Sequence, residues 1–297
     1  MMSIKRKIIN HTIKTLCLVL LVFPLIGHAA PVQVTHQNLT LNAEYIDGDK
    51  QNPIYVILHG TWMHHTMDLP STLQTLLSEE GQASLNISLG LGIDNRSTFI
   101  SCKMPMVAAH QHAEAELAEW MTWLKQQGWK KFVLIGHSRG GTQITSYANG
   151  HKKDGIEKLV LIAPMSWEKS FIEEDYETEF EIPLDTQLAR FKSAKDPKST
   201  QLKAPTLYCG NANVSAEAFL SYYTDQPQKH TPTLLKHTTL PTDIYLGTGD
   251  RHSRRLAGYL DDLTQRPNIR VTWIEGSDHF FRDLYADEII EGLLHDQ

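Results

Sequence analysis

The sequence predicts an α/β protein in which a mostly parallel central sheet carries helices on both faces. Two observations support this fold class. Short apolar runs typical of buried strands alternate with helical stretches along most of the chain. Three of these runs lead into turns that carry a serine, an aspartate or a histidine. From residue 31 onward, the chain is long enough to form one such domain with a substantial core.

The first thirty residues are predicted to be a signal peptide and not part of the fold. Four basic residues precede an apolar stretch over 16–26, which is too short to span a bilayer comfortably. Small residues follow and predict cleavage after Ala29 or Ala30. An uncleaved membrane anchor is the alternative, whereas Cys17 lies inside the apolar run and does not suggest a lipid anchor. We therefore expect an exported protein, secreted or periplasmic, without stable membrane insertion after cleavage.

The other elements follow from apolar spacing, with a period of two in strands and about 3.6 in helices. Edge strands are expected over 31–52, with a turn near Gly48. The further predicted elements, in chain order, are a strand over 53–58, a helix over 70–80, a strand over 83–89, a helix over 106–127, a strand over 132–135, a helix over 142–147, a strand over 157–162, a helix over 214–223, and strands over 243–250 and 269–274.

A G-x-S-x-G pattern spans residues 136–140, directly after the apolar strand over 132–135 and before a helix. Because a serine hydroxyl is a weak nucleophile, it must be exposed at a strand end within reach of a base. The pattern places Ser138 in such a turn, and Gly136 and Gly140 allow the helix to pack close to the strand. A glycine-rich turn with an inactive serine is the alternative interpretation.

Two later strands end in groups that could activate this serine. The apolar strand over 243–250 ends in Asp250, and the strand over 269–274 is followed by a turn that carries His279. In this interpretation His279 takes the proton of the serine, and Asp250 fixes the tautomer of His279 and stabilises its cation. Asp278 is the alternative acid, but adjacent side chains seldom reach the required geometry.

With these residues the sequence resembles the α/β-hydrolase superfamily over roughly residues 50 to 295. The resemblance implies the α/β-hydrolase fold and matches its chain order of serine, acid and histidine. It does not indicate a substrate, because the superfamily includes esterases, lipases, thioesterases, peptidases and cofactor-free haloperoxidase-like members. The segments that carry the resemblance are His59-Gly60, residues 136–141, residues 247–250 and residues 276–279.

The resemblance also implies an oxyanion hole. A strand that ends in His59-Gly60 is where this fold places the loop that donates one backbone N–H. We assign that donor to Thr61, with Trp62 as the less favoured alternative. The second donor is the residue after the nucleophile, Arg139.

A cap insertion is predicted over about 166–204, where the regular pattern stops. Residues 166–185 hold eight carboxylates and one lysine. Insertions at this point often form a lid over a hydrolase pocket, and an acidic lid would discourage strongly anionic substrates. The alternative is a solvated, mobile acidic loop. The aromatic residues expected in the lid are Trp167, Phe171, Tyr176 and Phe180.

After removal of the signal peptide, Cys102 and Cys209 are the remaining cysteines. An oxidising compartment favours a disulfide between them, because thiols there are not kept reduced. Two unlinked thiols are the alternative.

The charge balance argues against nucleic-acid binding. Cleavage leaves 24 basic and 34 acidic residues, a net charge of −10, whereas nucleic-acid binding relies on basic patches. The pairs His64-His65 and His110-x-His112 lack the spacing of metal ligands, so neither a metal nor another cofactor is expected. The sequence does not predict the oligomeric state.

The sequence therefore predicts an exported serine hydrolase that cleaves an uncharged, small-molecule ester of modest size through an acyl-enzyme. A thioesterase, peptidase or amidase would use the same residues. A non-catalytic binding protein with this fold is the alternative of another class, but such proteins usually lose a triad residue, and this chain keeps all three.

Overall fold

An eight-stranded sheet organises the protein in the computed structural model, which describes residues 28–294. The predicted signal peptide lies outside the described residues, apart from its last three positions. A separate two-stranded hairpin stands apart from this sheet. The strands are β1 (Ala30–His36), β2 (Leu39–Ile46), β3 (Ile54–Leu58), β4 (Ser84–Ser88), β5 (Phe132–His137), β6 (Ile156–Ile162), β7 (Gln201–Thr206), β8 (Cys209–Ser215), β9 (Thr242–Gly247) and β10 (Ile269–Ile274).

The strand order of the main sheet is β1-β2-β4-β3-β5-β6-β9-β10. β1 and β2 join antiparallel at one edge, as the predicted edge strands. The other six strands of this sheet, β3, β4, β5, β6, β9 and β10, are parallel to one another. This confirms the predicted mostly parallel sheet. Because the central strands run the same way, the loops after β3, β5, β9 and β10 all leave the same edge of the sheet.

Helices cover both faces of the sheet, also as predicted. One face packs against α2, α3 and α7, and the other against α1 and α10, each through its own cluster of buried apolar side chains. The helices are α1 (Asp68–Glu79), α2 (His112–Gln126), α3 (Arg139–Gly150), α4 (Lys169–Phe180), α5 (Leu184–Lys192), α6 (Ala216–Tyr223), α7 (Thr231–His237), α8 (Arg251–Ala257), α9 (Asp261–Thr264) and α10 (Leu284–Leu294). Within residues 28–294, no helix has the length and apolar character needed to cross a membrane.

Two predicted helices begin later than the apolar spacing indicated. The helix predicted from Met106 begins at His112, because Met106 forms a parallel bridge with Val214 of β8 instead. Val214 itself was predicted to open a helix, but α6 begins at Ala216, after Ser215 caps it by accepting the N–H of Ala218 at 3.1 Å. In both places, apolar residues of an extended segment mimic a helical face.

Most of the chain between β6 and β9 builds a third layer. It contains the helices α4 to α6 and the β7–β8 hairpin, with an apolar cluster of its own that includes Phe191 and Phe219. The buried Trp62, from the loop after β3, packs into the same cluster. The break in pattern after Pro164 therefore corresponds to ordered helices and a hairpin. Its role as a lid stays a prediction.

Two sets of contacts fix this layer to the rest of the molecule. A disulfide joins Cys102 to Cys209, with the Cα atoms 5.6 Å apart, and ties the β7–β8 hairpin to the loop that precedes α2. On the acidic helix α4, Asp175 pairs with Arg251 at 3.0 Å and with Arg255 at 2.8 Å. α4 is thereby held against α8, which begins directly after Asp250.

Candidate active site

Ser138 occupies a strained turn between β5 and α3. Its φ of 53° lies in the left-handed region, which costs a non-glycine residue roughly 1–3 kcal/mol. Three backbone hydrogen bonds hold the turn: the Ser138 N–H donates to the Ile162 carbonyl at 2.8 Å, and the Ser138 carbonyl accepts the N–H groups of Gly141 and Met165, each at 3.0 Å. The surrounding strands therefore impose a conformation that presents the hydroxyl beyond the end of β5.

Gly136 and Gly140 are required by close packing on both sides of this turn. A Cβ atom on Gly136 would lie 2.6 Å from the carbonyl oxygen of Gly140, and one on Gly140 would lie 2.5 Å from that of His59. Both obstacles are backbone atoms, which cannot rotate away. The two glycines thus allow α3 to begin directly against β5 and the loop after β3.

His279 connects Ser138 to Asp250. The His279 Nε2 atom lies 3.0 Å from Ser138 Oγ, and Nδ1 lies 3.0 Å from Asp250 Oδ2. Since an ionised carboxylate only accepts hydrogen bonds, Nδ1 carries the hydrogen and Nε2 is free to accept the serine proton. The three residues follow β5, β9 and β10, so the common direction of these strands brings them together.

Asp250 is held by four hydrogen bonds. Oδ1 accepts the N–H of His252 at 2.9 Å, and Oδ2 accepts His279 Nδ1–H together with the N–H and hydroxyl of Ser253, at 3.0 and 2.6 Å. Burial alone would raise the pKa of Asp250, but the hydrogen bonds from His279, Ser253 and His252 outweigh it and hold the pKa well below its ordinary value. The exposed Asp278 instead accepts the N–H of Phe280 at 2.8 Å.

His137 and Ser253 are site residues that the sequence did not reveal. The buried His137 donates from Nε2 to the carbonyl of His279 at 2.8 Å and thereby holds the backbone of the candidate base. Burial, followed by the neighbouring His279, lowers the pKa of His137 to about 3, so its ring is neutral. A histidine inside the turn motif carries no signal of this contact, because its partner lies 142 positions along the chain.

The loop after β3 is fixed close to Ser138. His59 donates from Nδ1 to the Gly60 carbonyl at 2.7 Å, and its Nε2 accepts the Leu89 N–H at 3.0 Å. Burial and, next, Arg96 keep the pKa of His59 well below its ordinary value, which favours this neutral form. A Cβ on Gly60 would lie 2.9 Å from His137 Nδ1 and 3.2 Å from Ser138 Cβ, so glycine is needed for the approach.

The expected oxyanion donors are the backbone N–H groups of Thr61 and Arg139. Within the part of the chain described, neither backbone N–H donates to another protein group. Thr61 lines the same cavity as Ser138 and His279, whereas the Trp62 side chain is buried in the apolar cluster under the hairpin. This placement fits Thr61 better than Trp62, and the role of each donor stays a prediction.

An open cavity lies over Ser138. Its walls are mainly apolar and aromatic, and two of its aromatic rings stand next to the disulfide: Phe99 precedes Cys102, and Tyr208 precedes Cys209. The ring centroids of Phe99 and Tyr208 lie 5.9 Å apart. The disulfide therefore links two loops that form one wall of the cavity.

The histidine pairs take part in internal hydrogen bonds. His65 Nδ1 lies 2.6 Å from the Ser88 hydroxyl, and His110 Nδ1 lies 3.3 Å from a guanidinium nitrogen of Arg139. Between residues 28 and 294, no three His, Cys, Asp or Glu side chains are grouped as metal ligands would be.

The chain is similar in sequence to known hydrolases. A model of the alpha/beta hydrolase family matches residues 55–291. A Mycoplasma pneumoniae protein that carries an esterase/lipase name is 36% identical over 84 residues, which are 28% of this chain and 30% of that protein. The chain thus matches less than a third of that relative's length.

Solved structures share the fold over most of their length. Est1E from Butyrivibrio proteoclasticus with bound ferulic acid has a TM-score of 0.62 at 18% identity, covering 89% of this chain and 98% of Est1E. The mouse alpha/beta hydrolase domain-containing protein 10 has a TM-score of 0.60 at 13% identity, covering 90% and 98%. A thioesterase domain from the curacin biosynthetic pathway has a TM-score of 0.56 at 14% identity, covering 89% and 97%. At these identities the likeness concerns the fold alone.

Proposed function

The chain belongs to the alpha/beta hydrolase family, and from this we propose that it is an exported serine hydrolase of the carboxylesterase type. One observation carries the proposal: Asp250, His279 and Ser138 form an unbroken hydrogen-bonded series beneath an open cavity. A base oriented by a buried carboxylate, with its second nitrogen on a serine hydroxyl, is the arrangement that activates this nucleophile.

The first half-reaction forms an acyl-enzyme. Ser138 Oγ attacks the ester carbonyl while His279 Nε2 takes its proton, and Asp250 stabilises the resulting imidazolium. The N–H groups of Thr61 and Arg139 hydrogen-bond the developing oxyanion, each contributing about 3 kcal/mol of transition-state stabilisation. His279 then protonates the departing alcohol.

The second half-reaction releases the acid. Water replaces the alcohol, His279 Nε2 takes a proton from it, and the hydroxide attacks the acyl carbonyl under the same oxyanion donors. Collapse of this intermediate returns the proton to Ser138 Oγ and frees the carboxylic acid. The same residues serve both halves, so no further reactant besides water is needed.

The wall of the cavity over Ser138 favours an ester with an apolar or aromatic portion. Phe99, Tyr208 and Phe280 present ring surface next to Ser138, together with Met63 and Met67. Est1E, whose fold this chain shares, has been solved with ferulic acid bound, an aromatic acid. Thioester and amide cleavage would use the same catalytic groups, so substrate turnover must separate them.

Turnover of p-nitrophenyl esters of increasing acyl length tests the proposal. We expect hydrolysis by the mature protein, with a maximum at short to medium chains, and its loss in Ser138→Ala. Ser170→Ala is the matched control, because Ser170 is exposed on α4. Equal ester turnover by Ser138→Ala and the unmodified protein would contradict the proposal, as would activity confined to thioesters or amides.

A further inference from the structure

The loop that carries Thr61 contains a strained turn, and we call its residues 59–63 the oxyanion loop. The Met63 N–H donates to the Gly60 carbonyl at 3.2 Å, which closes a four-residue turn with Thr61 and Trp62 at its centre. Trp62 has a φ of 60°, in the left-handed region that costs a non-glycine residue roughly 1–3 kcal/mol. Because a free turn would relax from this conformation, contacts from outside the loop must impose it.

A buried guanidinium supplies such contacts. Arg96 lies between β4 and α2, is 4% exposed, and makes five hydrogen bonds, one for each of its N–H groups. Three of them are made to the oxyanion loop: to the carbonyls of Trp62, at 3.3 Å, and Met63, at 2.7 Å, and to the ring of His59, at 3.2 Å. The other two are made to carbonyls near Arg96 in its own segment, at 2.6 and 2.8 Å. The guanidinium thus joins the segment after β4 to the oxyanion loop.

The backbone of Arg96 is itself fixed to the sheet. Its carbonyl accepts the side-chain amide of Asn42 at 3.1 Å, and the neighbouring Asn95 N–H donates to the Thr40 carbonyl at 3.0 Å. Both partners belong to β2. Arg96 therefore connects a strand of the sheet to the turn that contains Thr61.

Arg96 keeps its charge in this buried position. Burial lowers the pKa of Arg96 to about 10, and the Glu116 carboxylate opposes that fall. Glu116 is buried as well, and it accepts the Gly90 N–H at 2.6 Å. Hydrogen bonds from a charged donor are shorter and stronger than those between neutral groups. The carbonyls of Trp62 and Met63 are therefore held firmly.

A second guanidinium contacts the oxyanion loop but does not duplicate this role. Arg139 Nε donates to the Thr61 hydroxyl at 2.9 Å and so restrains a side chain. The carbonyls of Trp62 and Met63 accept from Arg96, and between residues 28 and 294 no other group donates to either. The backbone conformation of the turn thus depends on Arg96.

We propose that Arg96 is a positioning residue for ester cleavage: its guanidinium fixes the turn at Thr61 and Trp62, so that the Thr61 N–H points at the oxyanion site before the ester binds. Preorganised donors stabilise the transition state because they need not reorient as charge develops. Within residues 28–294, the wall of the cavity over Ser138 includes Thr61 but not Arg96, so Arg96 acts through the turn. The inference rests on the proposed function.

Two variants of Arg96 test this role in the hydrolysis of p-nitrophenyl butyrate. Arg96→Met removes all five hydrogen bonds and should lower kcat about ten- to a hundredfold with little change in KM, because a misplaced donor weakens the transition state alone. Arg96→Lys keeps the charge without the planar fork and should recover only part of the loss. Full recovery in Arg96→Lys, or an unchanged kcat in Arg96→Met, would overturn the proposal.

Arg266→Met is the matched control for a purely structural role. Arg266 also donates to two carbonyls, those of Leu235 and Thr238, both at 2.6 Å. It precedes β10 and so lies at the end of the sheet opposite to Ser138. Its replacement should lower the free energy of unfolding, measured by denaturant titration, and leave kcat unchanged. If kcat falls in both variants in proportion to their lost stability, Arg96 has no specific role in positioning.

Thr61→Pro tests whether Arg96 acts through the Thr61 N–H. Proline lacks this N–H and is compatible with the second position of a four-residue turn. Thr61→Pro should lower kcat by a factor on the order of 10²–10³. Adding Arg96→Met should then cost little more, because the donor that Arg96 positions is already gone. If Arg96→Met lowers kcat by the same factor with and without Thr61→Pro, Arg96 acts elsewhere.

Binding of butyl trifluoromethyl ketone separates this proposal from the proposed function. Ser138 Oγ bonds to the ketone carbon, His279 takes the hydroxyl proton, and the carbonyl electrons form an oxyanion, with no ester to cleave. By titration calorimetry, Arg96→Met should weaken this binding about ten- to a hundredfold, while butyl methyl ketone, whose carbonyl resists attack, should bind both proteins equally.

The outcomes of this titration differ for the two proposals. Weaker ketone binding by Arg96→Met, in a protein that hydrolyses no ester, would contradict the esterase proposal and leave the role of Arg96 standing. Equal binding of the trifluoromethyl ketone by Arg96→Met and the unmodified protein would overturn the role of Arg96 and leave the esterase proposal standing. Failure of the unmodified protein to bind the trifluoromethyl ketone would contradict both.

Discussion

Replacing Asp250 with asparagine should remove catalysis while leaving the fold in place. The carboxylate accepts from His252 on one oxygen and from Ser253 and His279 on the other. An amide has one acceptor oxygen, so one of these two sets must face an NH₂ group. If the NH₂ faces His279, Nδ1 becomes an acceptor, the proton moves to Nε2, and Nε2 can no longer take the proton of Ser138.

The size of the loss in kcat depends on the orientation that the new amide adopts in the Asp250→Asn variant. With the NH₂ towards His279, the base is in the wrong tautomer, and the turnover number falls by a factor on the order of 10⁴. In the other orientation, the amide oxygen still accepts Nδ1–H, but the imidazolium of the transition state has lost its carboxylate. Both outcomes lower kcat, while KM changes little because Asp250 does not line the substrate cavity.

Steady-state kinetics on a p-nitrophenyl ester measures the effect, with Asp278→Asn as the matched control. Asp278 is exposed and accepts the N–H of Phe280, a bond that an asparagine oxygen retains. If Asp278→Asn loses most of its turnover while Asp250→Asn remains near normal, the assignment of Asp250 as the acid is wrong.

The pH dependence of stability gives a second readout. The folded-state pKa of Asp250 is depressed below 3.8, so its stabilising contribution is present above that pH and is lost as pH falls further. The difference in free energy of unfolding between the unmodified protein and Asp250→Asn should therefore shrink in acid.

Three further predictions concern contacts that support the site and the cleavage of the predicted signal peptide. His137→Leu should lower kcat about tenfold through loss of the hydrogen bond to the His279 carbonyl. His137→Gln retains a donor and should restore part of the lost kcat. Equal rates for the two variants would contradict the role of this hydrogen bond. Replacing Cys102 and Cys209 with alanine should reduce the free energy of unfolding by about 2–4 kcal/mol and raise KM, since the disulfide holds one wall of the cavity. Denaturant unfolding and ester kinetics measure these effects. An unchanged free energy of unfolding would contradict this stabilising role of the disulfide. Intact-mass analysis of the exported protein should find an N-terminus at Ala30 or Pro31, whereas a mass that includes residues 16–26 would indicate an anchored protein.

The candidate catalytic residues could be predicted from the sequence because two local signals coincide at the ends of their strands. Apolar runs identify buried strands, and the turn after each run carried a residue type with a chemical role. A parallel sheet then brings Ser138, Asp250 and His279 to one edge, even though His279 is 141 positions from Ser138. Fold class and candidate triad thus follow from patterns that do not depend on knowing long-range contacts.

Other features depend on such contacts and could not be predicted. Residues 106–111 have the spacing of a helix, but Met106 gains a β-bridge to Val214, which a local pattern does not reveal. The hydrogen bond from His137 to His279 joins two loops that are adjacent only in the folded chain. The position of Arg139 in the motif indicated only its backbone N–H, whereas the contacts of its side chain with Thr61 and His110 join loops that are adjacent only in the folded chain.

The proposal that Ser138 is the nucleophile is tested most directly by locating a covalent adduct. The mature protein is treated with a fluorophosphonate, digested, and mapped by tandem mass spectrometry. We expect the phosphonyl group on Ser138, with no adduct in Ser138→Ala. An adduct on another residue, or equal labelling of Ser138→Ala, would contradict the assignment of the site.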